Sequence, residues 1–272
     1  MILVDGNNFL ARYFFQLKLL EVDGKKVGGM YGFLRGLYFL VTQFADGDIF
    51  VVWDGEKSKE RRRQIFADYK NTRLTGSFDE SFSHMKSELI TVLYDCVGVK
   101  QVMMAGYEAD DVVAYLSRLG DKVYIVSTDR DFWQLISDKV KICLGSGKVV
   151  GPEELQKETG CVNGKEFLYC KALAGDSSDG IPGVKGVGMK RALQIVRSDT
   201  VAFHKDIFDR NMLLMELNVP VDDLRVVCKK SDLHGFVTWC MTYRFQGLIE
   251  VAEDFLNRLE VRDGRSFPVF RE

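Results

Sequence analysis

Three short apolar runs stop at aspartates: "ILVDG" at Asp5, "FVVWDG" at Asp54, and "YIVSTDRD" at Asp129 with Asp131 two residues on. They are rich in valine and isoleucine and bounded by turn residues, as strands buried on both faces are. A fourth run, "KVKICL", covers 139–144. Helical spacing fills the chain between them. "GGMYGFLRGLYFLVTQFA" occupies 28–45, and in 80–97 Phe82, Met85, Leu89, Val92 and Cys96 recur every three or four residues. Strands alternating with helices predict a mostly parallel, doubly wound α/β sheet over about residues 1–150. In such sheets ligands bind outside the carboxyl ends of the strands, where these aspartates are delivered.

"GYEADDVVAY" adds Glu108, Asp110 and Asp111 where a helix begins. Acids in a first helical turn suit the helix dipole, which accounts for one or two of them and poorly for three. Each strand-end acid also has a bland alternative. Asp5 before Gly6 suits a turn or helix cap, Asp54-Gly55 suits a turn, and Asp129 or Asp131 suits a cap for "FWQLI". Taken together they are harder to explain that way. Converging carboxylates raise one another's pKa unless a cation offsets them, and a hard divalent ion such as Mg²⁺ or Mn²⁺ does so with oxygen ligands. The three scattered histidines and six cysteines without metal-like pairing argue against zinc and histidine chemistry.

The net charge of −2 rests on 37 basic and 39 acidic residues. Setting aside nine acids for a metal site leaves 39 − 9 = 30 against 37, a remainder of +7. An acidic pocket on a basic body suits a polyanionic substrate. No apolar run reaches about 18 residues, so no membrane span is expected. "MILVDGNNF" reads as a strand rather than a leader, which predicts an intracellular protein with reduced thiols.

From about 151 to 272 the pattern is helical and glycine-punctuated, predicting a smaller helical region in which strands stop. "GPEELQKETG" has Pro152 at a helix start and Gly160 at its end. "LAGDSSDGIPGVKGVGMKRALQIV" (173–196) sets Asp176 and Asp179 before Gly180, Gly183, Gly186 and Gly188, then a helix carrying Lys190 and Arg191. Glycines let backbone approach a ligand, and amides at a helix start attract phosphate. Cations in a first turn oppose the dipole, so a phosphate ligand explains them.

"VDGNN", "VVWDG", "GYEADDVVA", "STDRDFWQL" and "AGDSSDGIPGVKGVGMKRA" occur in the order and spacing of the 5′-nuclease (flap endonuclease) family. That family includes the nuclease domain of bacterial DNA polymerase I and free-standing phage 5′-exonucleases. The ending "DFLNRLEVRDGRSF" resembles its C-terminal segment, and the stand-alone phage type is the nearest in pattern. The resemblance implies two Mg²⁺ positions, one held by Asp5, Asp54, Glu108 and Asp110, the other by Asp111, Asp129, Asp131, Asp176 and Asp179. It implies a helix-three-turn-helix over about 164–197 that grips duplex backbone through Gly183, Gly186, Gly188, Lys190 and Arg191. A K⁺ there would be bound by the carbonyls of Leu173, Ala174, Pro182, Val184 and Val187, with Gly180 standing where many relatives have asparagine.

"KSKERRRQIFADYKNTR" carries Lys57, Lys59, Arg61, Arg62, Arg63, Lys70 and Arg73 and reads either as a solvated face or as a phosphate-steering segment. The resemblance implies catalytic roles for Lys70 and Arg73, DNA binding for Arg12, and a short arch over about 71–88. Phe78 and Phe82 suit base stacking or core packing, and Tyr107 is a further stacking candidate. The implied activity is two-metal hydrolysis of DNA at 5′ ends, flaps and junctions, by a monomer in the cytoplasm of a bacterial host, in phage replication or repair. The rivals are a PIN-type ribonuclease, which lacks the second acidic pair and the glycine module, and a non-catalytic DNA-binding replication protein.

Overall fold

Branched and aromatic side chains place the strands where both faces are covered. Ile2–Asp5 runs parallel to Ile49–Asp54 with Asp5 opposite Val52, and Leu3, Val4, Phe50, Val51, Val52 and Trp53 have no exposed surface. The structure, a computed structural model, describes residues 1–44, 47–71, 77–145, 147–217 and 224–260, leaving aside the side chains of 77–79. It divides into two units built from interleaved segments. The first comprises Met1–Trp53, Thr75–Met103 and Asp223–Glu272, and the second Asp54–Leu74 and Met104–Asp222.

In the first unit the strand order is Val226–Val227, Lys100–Met104, Ile49–Asp54, Ile2–Asp5, with the two-residue edge strand antiparallel to its neighbour. Helices Gly6–Gln16, Gly28–Gln43 and Ser77–Val92 pack on one another, the first also against Ile2–Asp5. Trp53 lies stacked on Phe33 at 5.6 Å, and its Nε1 donates to Gln101 Oε1 at 2.9 Å. Gly6 is required beneath that ring, since a Cβ there would stand 2.6 Å from it. Phe82 packs edge-on to Phe14 at 6.1 Å, which is the packing alternative for that residue. Of the expected arch, 77–88 belongs to helix Ser77–Val92, and 72–76, including Arg73, lies outside the described residues. Phe78 is in the helix, with its side chain outside the description.

In the second unit Val123–Val126 runs parallel to Val140–Cys143, with Val149–Val150 antiparallel at the edge. Around them lie helices Glu60–Ile65, Ala109–Ser117, Pro152–Thr159, Gly164–Ala174, Met189–Arg197 and Lys205–Met215, plus a 3₁₀ turn at Arg130–Leu135. Parallel pairing at the buried strands with short antiparallel edges makes the chain an α/β protein.

Strands do not stop at 150. Gly175–Asp176 pairs with Ile181–Pro182, and Val226–Val227 forms an edge, each too short to leave a period-two pattern. The change expected near 150 falls inside the second unit. No helix among the described residues is long and apolar enough to cross a membrane.

Candidate active site

Each strand-end aspartate caps a helix. Asp5, in the first unit, accepts from the Asn8 amide at 3.1 Å. In the second unit Asp54 accepts from the Ala109 amide at 2.8 Å, and Asp129 from the Asp131 amide at 2.8 Å. A carboxylate has about four acceptor positions, so capping is compatible with binding a ligand. The turn-and-cap reading and the ligand reading are not exclusive.

The remaining acids of the second unit are organised by buried cations. Arg62, only 3% exposed, donates through Nη1 to Glu108 Oε2 at 2.6 Å and Asp111 Oδ2 at 2.9 Å, and through Nη2 to Asp111 Oδ1 at 2.8 Å. Its Nε caps the last turn of helix Lys205–Met215 at Leu214 O, 2.8 Å away. Glu108 also accepts from Tyr69 Oη at 2.9 Å and, on Oε1, from Lys70 Nζ at 2.7 Å. Lys70 Nζ lies 3.6 Å from Asp179, and the Lys70 amide donates to the Asp179 carbonyl at 2.9 Å. Lys171 bridges Asp131 and, at 2.7 Å, Asp176.

The electrostatics follow from burial against neighbouring charge. Burial works to raise the Glu108 pKa, but Lys70 and Arg62 hold it below the usual range. Burial likewise opposes charge on Arg62 and Lys70, yet the acids push both upward, so both stay cationic. Burial pushes the Tyr69 phenol up, keeping it a neutral donor. Asp176 is held at about 2 despite burial, by Lys171 and the Ser178 hydroxyl and amide. Asp129 moves the other way, raised by burial and by Asp131 beside it.

A cation would relieve that last repulsion, and the acids, oxygen donors throughout, suit a hard divalent ion. Among the described residues no three potential ligands converge closely enough to hold one as the side chains stand. Lys171 pairs with an oxygen of Asp131 and an oxygen of Asp176. The residues fit the ion in kind, with cationic side chains occupying the acids in its place.

Asp129, Asp131, Lys171 and Asp176 line one cleft of about 1180 Å³ together with Lys190 and Arg197. Lys190 and Arg191 are both exposed in the first turn of helix Met189–Arg197. In the preceding loop Gly175, Gly180 and Gly186 have φ of 79°, 71° and 75°. Gly183 is obligatory, because a Cβ would stand 2.1 Å from the Ala174 carbonyl oxygen. Of the carbonyls expected to hold K⁺, Leu173 accepts from the Val184 amide at 2.7 Å and Val184 from Val187 at 3.0 Å. Pro182 accepts from Arg210 at 2.8 Å and Asn211 at 3.0 Å, which fills its two lone pairs. Arg12, in the first unit, lies 5.3 Å from the Tyr13 ring and has a buried Nη1 without a hydrogen-bond partner.

Residues 1–160 match the family model described as the 5′-3′ exonuclease, N-terminal resolvase-like domain. A 5′-3′ exonuclease of Bacillus subtilis is 32% identical, over 96% of this chain and 93% of that protein. The chain belongs to the 5′-3′ exonuclease family. Another relative, the thermostable DNA polymerase I of Thermus thermophilus, is 36% identical over 72% of this chain, which spans only 24% of that polymerase. The fold is shared with the bacteriophage T5 flap endonuclease solved with DNA and metal ions, at a TM-score of 0.64 and 21% identity over 95% of this chain and 98% of that one.

In this exonuclease-family chain the sequence reading misses Tyr69, Lys171 and Asn211, and leaves Arg62 in a charged run. Asn211 is fully buried and donates to the Ala172 and Pro182 carbonyls at 2.7 and 3.0 Å, bracing the glycine loop. Its only signal is a polar residue in the apolar stretch "NMLLM".

Proposed function

We propose that the chain is a structure-specific 5′-nuclease that hydrolyses DNA phosphodiesters at 5′ ends, flaps and single-strand/duplex junctions. The observation that carries this reading is the single cleft joining Asp129, Asp131 and Asp176 to the helix of Lys190, in a member of the 5′-3′ exonuclease family. Two divalent ions, Mg²⁺ or Mn²⁺, would be held by Asp54, Glu108, Asp110, Asp129, Asp131, Asp176 and Asp179, and the family pattern adds Asp5. When bound, such ions supply an activated water and a clamp on the phosphate oxygens.

The rest falls to the chain's own residues. Lys70 keeps its charge because Glu108 and Asp179 face it, so it offers a fixed cation to the scissile phosphate. Lys171 neutralises Asp131 and Asp176, and with an ion on those acids its ammonium would be available to phosphate. Gly183, Gly186, Gly188, Lys190 and Arg191 hold duplex backbone, with Arg12 and Arg73 further phosphate contacts. A K⁺ in the glycine loop would use the carbonyls of Leu173, Ala174, Pro182, Val184 and Val187.

Equal amounts of a 5′-flap DNA, a single-stranded RNA of the same sequence and a blunt duplex separate this function from its rivals. The flap DNA should be cut at the junction, and faster than the RNA. Faster RNA cleavage would favour a ribonuclease, and no cleavage of any substrate would favour a binding protein.

A further inference from the structure

We infer that Arg62 is a positioning residue for the ion site and that Asp111 reaches the ions only through it. This rests on the nuclease reading above and assigns Asp111 differently from the family pattern.

Arg62 is bound on three sides. Its Nε is fixed by the Leu214 carbonyl, and its two outer nitrogens form a parallel fork on the two oxygens of Asp111. Nη1 also reaches Glu108. The Asp111 side chain is fully buried, and Arg61 approaches both its oxygens at 3.3 Å. With the Arg62 fork and the two longer Arg61 contacts, all of about four acceptor positions on Asp111 are taken, so an ion would have to displace an arginine, and breaking the buried fork leaves charge unpaired away from water.

Asp110 is placed differently. Successive helical residues point about 100° apart, so Asp110 and Asp111, in one first turn, face different directions. Lys70 contacts Glu108 at 2.7 Å and lies 3.6 Å from Asp179. The acids facing Lys70 are thus Glu108 and Asp179, whereas both oxygens of Asp111 are held by Arg62. Fixing Arg62 fixes the Glu108 carboxylate, in the way that outer partners orient ligands at metal sites.

The test measures Mn²⁺ binding by calorimetry, without DNA, for the wild type and for Asp110→Asn, Asp111→Asn, Arg62→Lys and the double variant of the last two. Single-turnover cleavage across Mn²⁺ concentrations is measured in parallel. Asp111→Asn and Arg62→Lys should each weaken Mn²⁺ by about 10-fold, the scale of losing an outer partner. The double variant should be no worse than the poorer single one, because both remove the same fork. Saturating Mn²⁺ should restore the cleavage rate in these variants and not in Asp110→Asn. Asp111→Asn behaving like Asp110→Asn, or effects of Asp111→Asn and Arg62→Lys that add, would overturn the inference while leaving the nuclease reading intact. If Arg62→Lys does not fold, the comparison of Asp110→Asn with Asp111→Asn decides. A wild type that binds no Mn²⁺ and cuts no DNA removes both readings.

Discussion

Lys70 has a φ of 51°, in the left-handed region that branched and long side chains seldom occupy. Its amide is tied to the Asp179 carbonyl at 2.9 Å and its ammonium to Glu108 at 2.7 Å, so backbone strain and a buried charge meet at one residue. Such strain persists only where the surroundings over-determine it, and it concentrates at functional sites. If Lys70 acts on charge developing at the phosphate, Lys70→Ala should lower the single-turnover rate about 10²–10³-fold with enzyme far above the dissociation constant. Recovery of the full rate at saturation would make it a binding residue only. The sequence marks Lys70 through its family motif alone. Arg62 is harder to find, because a triplet of arginines on a short helix looks solvated until the partners of its inward member, in 108–111 and at Leu214, are brought together by the fold.

Among the elements, the aspartate-ended strands are legible because β-branched runs bounded by turn residues admit few other structures. Lys100–Met104 is not, since "KQVMM" begins with two polar residues and ends with two methionines, which favour no strand. The glycine loop is legible in its chemistry and partly in its geometry: Gly183 excludes any side chain, whereas the bracing by Asn211 joins residues 172, 182 and 211, which no local pattern connects. The helix that follows gives a quantitative expectation. Replacing Lys190 and Arg191 together by alanine removes two phosphate contacts, and the slope of log K against log salt for duplex binding should fall by about 1.8. Base preference should not change, because backbone contacts carry no sequence information. An unchanged slope would separate this helix from DNA.

For the whole molecule, the acids divide by the sign of their shifts. Glu108 and Asp176 are held below their unfolded pKa, so each contributes stability that is present above about pH 4 and lost as pH falls through the folded value. Asp129 is raised, so its ionisation costs folding stability above its unfolded pKa, near pH 4. A divalent ion relieves that cost and competes with protons at low pH. Ca²⁺ at 100 times its dissociation constant should stabilise the fold by about 2.7 kcal/mol at pH 7.5. The same ion concentration should do far less at pH 4.5 in thermal unfolding, and an equal shift at both pH values would place the ion away from these acids.

The central claim is that carboxylates of the second unit hold divalent ions that cut DNA at a 5′ flap. Its most direct test is the cleavage of a 5′-labelled flap substrate by the wild type and by Asp129→Ala, with Mg²⁺ and with excess EDTA. The account expects junction cleavage by the wild type with Mg²⁺, none with EDTA, and none by Asp129→Ala even though Asp129→Ala binds the flap in Ca²⁺ within several-fold of the wild type. Cleavage that survives EDTA, or near-normal turnover by Asp129→Ala, would contradict it.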